Sequence, residues 1–297
     1  MGKIAHLLDD ACCERERVGA EPGLRARLLG AGSDWAVEDV LCTYRPSDAP
    51  FEERHGRYRV ALVGAGTFVC HGDRGHALLT PGSLLLGNLN EGFECGHSHG
   101  TGDRCLAFAY SRDMFERLAF EAGMRGRPRL RAVRVPPITA LAALVAEACA
   151  AWVEARRGAV WEELGVRLAA SAARFAGEPQ RSPRSPANAE RAIARAVRLI
   201  EHDPSAALAL DVLAREAKLS PFHFVRAFAR VTGLTPHRYV MRARLRSAAL
   251  RLATNGARVV DVAMSSGFRD VSTFNHAFRR EFGTTPRQQR VRLRGEL

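Results

Sequence analysis

An α+β chain in two unlike parts is what this sequence predicts: a β-barrel or β-sandwich followed by helices, then an all-α part made of two helix-turn-helix units. Three observations predict it. Between residues 36 and 110, short alternating apolar runs are broken by Gly and Pro turns. Ala176–Asn188 (AGEPQRSPRSPAN) holds three prolines in thirteen residues and cannot continue a helix. A pattern beyond residue 210 recurs after fifty residues. These divide the 297 residues into an uncertain segment 1–35, a β part 36–111, a helical region 112–175, a linker 176–188 and a C-terminal part 189–297.

The N-terminal stretch IAHLLDDACCERERV allows a helix, but its apolar pattern is too short to decide. It reaches acidic residues before a signal-length apolar core forms, and no run approaches the ~20 apolar residues of a membrane span. The expected location is therefore cytoplasmic, with no membrane partner. In Arg57–Cys70, Tyr58, Val60 and Leu62 alternate, Gly64 and Gly66 interrupt, and Phe68 and Val69 resume. His76–Leu86 reads as strand, Pro-Gly turn and buried strand, and Leu106, Phe108 and Tyr110 alternate again. Three helical stretches follow up to residue 175. In the middle one, Leu141, Leu144, Val145 and Cys149 make one stripe, which either packs on the β part or pairs with a second subunit. A homodimer through residues 112–175 is the expectation.

Charge separates the two parts. Residues 190–297 hold 20 Lys and Arg against 9 Asp and Glu, a net +11 of the chain's +12. A basic module beside a neutral one points to a polyanion partner. All seven cysteines precede residue 150; the odd count and irregular spacing argue against a disulfide framework.

In the basic part, Phe224, Ala227, Phe228, Arg230, Gly233, Thr235 and Pro236 recur as Phe274, Ala277, Phe278, Arg280, Gly283, Thr285 and Pro286. Each copy predicts a short helix from about Leu210 or Val259, a turn (Gly267 in the second copy), and a second helix capped by Ser220 or Asp270. The Phe pairs lie at i, i+4 on its buried face, and Gly233 or Gly283 stops it. Thr-Pro then opens the next helix. Pro236–Thr254 between the copies is one helix about 28 Å long. It has Tyr239, Met241, Leu245, Ala249 and Leu252 as apolar positions and Arg238, Arg242, Arg246 and Arg251 as a charged edge. Successive major grooves on one side of a duplex lie about 34 Å apart, so two recognition helices of one chain can reach both.

The stretch Ser220–Arg290 resembles the AraC/XylS family of bacterial transcription regulators. The match is closest from Val259-Val260-Asp261-Val262-Ala263 through Gly267-Phe268, Ser272-Thr273-Phe274 and Phe278-Arg279-Arg280 to Gly283-Thr284-Thr285-Pro286. More weakly, the preceding part resembles that family's cupin-like effector domain and dimerisation helices. The resemblance implies a sequence-specific regulator that binds double-stranded operator DNA, answers to a small effector held by the N-terminal domain, and meets RNA polymerase if it activates. It places base-reading positions at Phe222, Val225, Arg226, Val271, Ser272, Thr273 and His276. These also lie away from the buried Phe pairs by helical spacing. Arg pairs with guanine, Ser, Thr and His bond base edges, and Phe222 and Val225 suit a thymine methyl. Arg230, Arg242, Arg279 and Arg280 are the expected phosphate contacts.

For the N-terminal domain the expected effector pocket is lined by Tyr58, Val60, Leu62 and Phe108. A cupin-type metalloenzyme or a metal or thiol sensor with a DNA-binding appendage is the alternative. It would need a ligand cluster, for which Cys95, His97, His99 and Cys105 are the candidates. Their Gly-rich surroundings read more readily as a loop. No hydrolase, zincin, P-loop or dinucleotide motif occurs, so neither enzymatic activity nor a cofactor is expected.

Overall fold

A computed structural model of the chain describes residues 2–97, 100–156, 158–176 and 187–294. Its N-terminal half starts with helix α1 (Gly2–Val18), which settles the open question about that segment. Ile4 and Leu8, one turn apart, are its buried side chains and carry it onto the sheet. The β part then begins earlier than position 36. Strand β1 (Leu24–Ala31) is an edge strand, and because it is largely exposed it lacks the alternation that marks a half-buried strand. The remaining strands are β2 (Trp35–Cys42), β3 (Phe51–Arg54), β4 (Tyr58–Gly66), β5 (Phe68–Gly72), β6 (Gly75–Leu79), β7 (Leu84–Gly87), β8 (Gly92–Gly96), β9 (Asp103–Tyr110) and β10 (Arg134–Val135). They form a six-stranded sheet, β1-β2-β9-β4-β7-β10, and a four-stranded sheet, β3-β8-β5-β6, antiparallel throughout.

Helices α2 (Arg112–Glu121), α3 (Thr139–Val153) and α4 (Ala159–Ala176) cover the outer face of the large sheet. Tyr58, Val60, Leu62, Leu106, Phe108 and Tyr110 point that way, into the main core. Tyr58 stacks on Phe115 of α2 at 4.2 Å, and the Tyr110 hydroxyl donates to the Gly165 carbonyl at 2.8 Å. The alternate residues Ala61, Val63, Cys105 and Ala107 face the small sheet and meet Phe68, Cys70, Leu79 and Cys95. Gly64 does not break β4. It sits in a register shift against β9, where a Cβ would lie 2.5 Å from Trp152 and 2.9 Å from Ile4, so its bareness lets α1 and α3 approach the sheet. The stripe Leu141, Leu144, Val145 and Cys149 is covered within the chain, in the same core. It therefore supplies no free surface for a second subunit, and the expected basis for a dimer is withdrawn.

The expected linker 176–188 is bracketed by the end of α4 at Ala176 and the start of α5 (Ala187–His202); residues 177–186 lie outside the described residues. Helices α6 (Leu210–Glu216), α7 (Pro221–Thr232), α8 (Pro236–Thr254), α9 (Val259–Ser265), α10 (Val271–Phe282) and α11 (Pro286–Arg294) complete the C-terminal half. Phe224 and Phe228 lie in a core with α5, α6 and the start of α8, while Phe274 and Phe278 lie in a second core with α9 and the rest of α8. Burying each such ring contributes about 2–3 kcal/mol.

The two halves dock. Val69 and Leu78 of the small sheet enter the first helical core, and Ala146 of α3 enters the second. His76 Nε2 meets Glu190 at 2.8 Å, and Arg134 donates to the Val231 carbonyl at 2.6 Å. Burial lowers the Arg134 pKa to about 10. Among the described residues no helix is long and apolar enough to cross a membrane.

Candidate functional site

Helix α7 begins with Pro221 at its first position, where a missing N–H removes nothing. Ser220 occupies the cap position, but its hydroxyl pairs with His223 Nδ1 at 2.9 Å and not with a backbone amide. In α10 the cap is made: Asp270 accepts from the Thr273 amide at 2.7 Å and from its hydroxyl at 2.9 Å. Those bonds hold the Asp270 carboxyl below its ordinary pKa. Gly233 (φ 81°) and Gly283 (φ 70°) end α7 and α10 in the left-handed conformation.

With the Phe pairs buried, the opposite face of each helix is open. Phe222 is 68% exposed and Arg226 stands over its ring at 5.5 Å; Val225 is half-buried beside them. On α10, Ser272, Thr273 and His276 are exposed and Val271 is half-buried. All seven expected base-reading positions thus lie on two accessible faces, although Thr273 has its hydroxyl committed to the cap. Asn275 lies on the same open face of α10. It is exposed beside His276, and the fifty-residue offset makes it the counterpart of Val225, a correspondence the sequence reading did not follow through.

Arg230, Arg279 and Arg280 are exposed at the far ends of the same helices. Arg242 is not available to DNA in this way and its expected phosphate role is corrected. It is 8% exposed, hydrogen-bonds the Pro137 carbonyl and the Thr139 hydroxyl, and pairs with Glu281 at 3.0 Å. Arg246, next on that edge of α8, is buried against Glu201 at 2.5 Å. Half of the apparently charged edge of α8 is thus internal.

The expected effector pocket also needs correction. Tyr58, Val60, Leu62 and Phe108 fill the core beneath the helices and do not line the cavity between the sheets. The cavity between the sheets is lined from the other side of the same strands, by Ala61, Ala107, Cys105, Cys95, Phe68 and Phe93, and has a volume of about 80 Å³. The parity is off by one residue, which exchanges the two faces. His55 also borders this cavity, stacked on Phe93 at 4.1 Å, and burial, with Arg59 and Arg74 nearby, lowers its pKa to about 3.

The expected ligand quartet does not assemble as such. Cys95 lies against Cys70, its partner in register on β5, and the hydrogen bond with that thiol, together with burial, pushes its pKa well up. His99 lies outside the described residues. His97 and Cys105 instead converge on Asp103, with His97 Nε2 at 2.7 Å from Oδ1 and the Cys105 thiol donating to Oδ2 at 3.1 Å. Cys42 completes this group, with one coordinating atom each from Cys42, His97 and Asp103 within 4.8 Å of the others. No sequence motif joins these three, since 55 residues separate Cys42 from His97.

Residues 213–292 match the family model described as a helix-turn-helix domain. Regulatory protein SoxS of Salmonella typhimurium is 38% identical over 86 residues, which are 29% of this chain and 80% of that protein. The HTH-type transcriptional activator RhaS of Escherichia coli is 41% identical over 80 residues, 27% of this chain and 29% of RhaS. A solved AraC-type DNA-binding regulator structure from Chromobacterium violaceum aligns over 36% of this chain and 96% of that one, at 26% identity and a TM-score of 0.35. With a curated regulator matched at 38% identity over four-fifths of its length, and a helix-turn-helix domain over residues 213–292, the chain belongs to the AraC/XylS family of DNA-binding transcriptional regulators.

Proposed function

We propose that α7 and α10 enter two successive major grooves on one side of an operator, while the two-sheet domain, read as cupin-like, holds a small effector. The observation that carries the first part is the doubled exposed face: Phe222, Val225 and Arg226 on α7 and Ser272, Asn275 and His276 on α10, held apart by the 19 residues of α8. At about 28 Å, that helix is close to the ~34 Å separation of successive grooves. Both faces stay open while the halves are docked, so one chain reads two grooves without undocking. Base edges are read by Arg226, Ser272, Asn275 and His276, and Arg230, Arg279 and Arg280 position the duplex.

The effector reading is supported by the cavity between the sheets. At about 80 Å³ it is well below the ~300 Å³ of ordinary ligand pockets, so it suits a ligand of a few heavy atoms. Its wall, the small sheet, contacts α5 and α7 through Val69 and Leu78, which offers a route from effector to DNA.

Selection of operator sequences from random duplexes, followed by guanine-methylation interference with the full chain, tests the DNA arrangement. Interference in two patches about one helical turn apart is expected, with affinity falling steeply as salt rises. One patch, or binding indifferent to sequence, would sink the two-groove reading.

A further inference from the structure

We infer that Cys42, His97 and Asp103 bind one zinc-class divalent ion at the end of the cavity between the two sheets. Cys42 closes β2 and Asp103 opens β9, and the two are directly paired in register, which sets both side chains on the same face. His97 follows β8 and reaches them from the opposite sheet. The three are 2%, 4% and 6% exposed, and their coordinating atoms fall within 4.8 Å of one another. Seating an ion at bond lengths of about 2.0–2.3 Å asks for shifts of about an ångström, with Cys42 moving towards the pair and His97 Nε2 parting from Asp103 Oδ1, now 2.7 Å away.

The donor set is one sulfur, one nitrogen and one oxygen. That mixture suits zinc, whereas magnesium and calcium take oxygen alone. Three protein ligands leave the fourth tetrahedral position to solvent or to a small molecule. Cys105 donates to the second oxygen of Asp103 at 3.1 Å and so orients the carboxylate from behind, as a positioning residue does.

The imidazole already faces the group: His97 Nε2 sits 2.7 Å from Asp103 Oδ1, and an ion would take the place of the proton between them. On binding, Cys42 enters as thiolate and its proton passes to solvent. The ion then ties β2 and β9 to His97. Gly100 lies against the helical half: a Cβ added there would fall 2.3 Å from the Arg198 guanidinium of α5.

The test uses the full chain, stripped of metal and titrated with Co²⁺. One equivalent per chain is expected, with a thiolate-to-cobalt charge-transfer band in the near ultraviolet that Zn²⁺ removes on displacement. Cys42→Ser should abolish the band and His97→Gln should abolish stoichiometric binding, while Cys149→Ser, on α3 and outside the group, should leave both intact. A wild-type chain that binds no equivalent, or gives no thiolate band, overturns the inference whether or not the variants fold. So does a band that survives in Cys42→Ser. Operator binding is not a readout here, so failure of this site would leave the DNA reading standing.

Discussion

Arg226 stands over the Phe222 ring on the open face of α7, whereas Arg242 is closed in among Pro137, Thr139 and Glu281 where the two halves meet. The same side chain therefore gives opposite expectations. Arg226→Ala should weaken specific binding by about 1–3 kcal/mol and relax the preference at one or two base pairs, as measured by competition against random duplex. Asn275→Ala should behave likewise in the second half-site. Arg242→Ala should leave the salt dependence of DNA binding unchanged, because no phosphate contact is lost, and should lower thermal stability as the contact between the halves loosens. A salt slope reduced by about one for Arg242→Ala would return this residue to the phosphate contacts.

At the level of elements, helix ends and strand faces follow different rules. Gly283 ends α10 at φ 70°, and nothing lies within 4 Å of where its Cβ would be. Gly283→Ala therefore meets only the left-handed conformation itself and should lower stability by about 1–2 kcal/mol in thermal or denaturant unfolding, with no cavity or clash to account for. In β9 the two faces can be tested against each other. Phe108→Ala should cost about 3–5 kcal/mol, because Phe108 is fully buried beneath α4. Ala107→Val, one residue away, adds methyl groups into the cavity between the sheets and should block a ligand there while sparing the fold. If Phe108→Ala instead left stability intact and abolished an effector response, the assignment of faces would be reversed.

For the whole molecule, the buried imidazole of His55 links fold to pH. Its pKa is about 3 in the folded protein against 6.5 ordinarily, so it stays neutral where the unfolded chain is already protonated. Above pH 6.5 both states are neutral and nothing is lost. As pH falls from 6.5 towards 3 the unfolded state takes up the proton first, and stability declines by up to roughly 1.4 kcal/mol per pH unit. Urea unfolding of wild type and His55→Gln across pH 4–7 should show that slope reduced in the variant. Parallel curves would mean that His55 carries no part of it.

Much of the helical half was legible in the chain alone. Repeat, Phe pairs, Thr-Pro starts and terminal glycines all act over one or two helical turns, and α7, α8 and α10 begin and end where those local signals place them. The open faces of α7 and α10 followed from the same periodicity, and Asn275 was within reach of it. The N-terminal half was legible as strands and helices but not in depth. Every residue of β9 is buried, so both of its faces are apolar and alternation cannot say which one meets the helices and which the cavity. Only packing decided that, and it moved the cavity lining from Val60, Leu62 and Phe108 to Ala61 and Ala107. Contacts across long stretches of chain did the rest. They brought Cys42 to His97 and Asp103, covered the Leu141 stripe, and took Arg242 and Arg246 out of solvent, because a buried charge or thiol finds its partner in space and leaves no period in sequence.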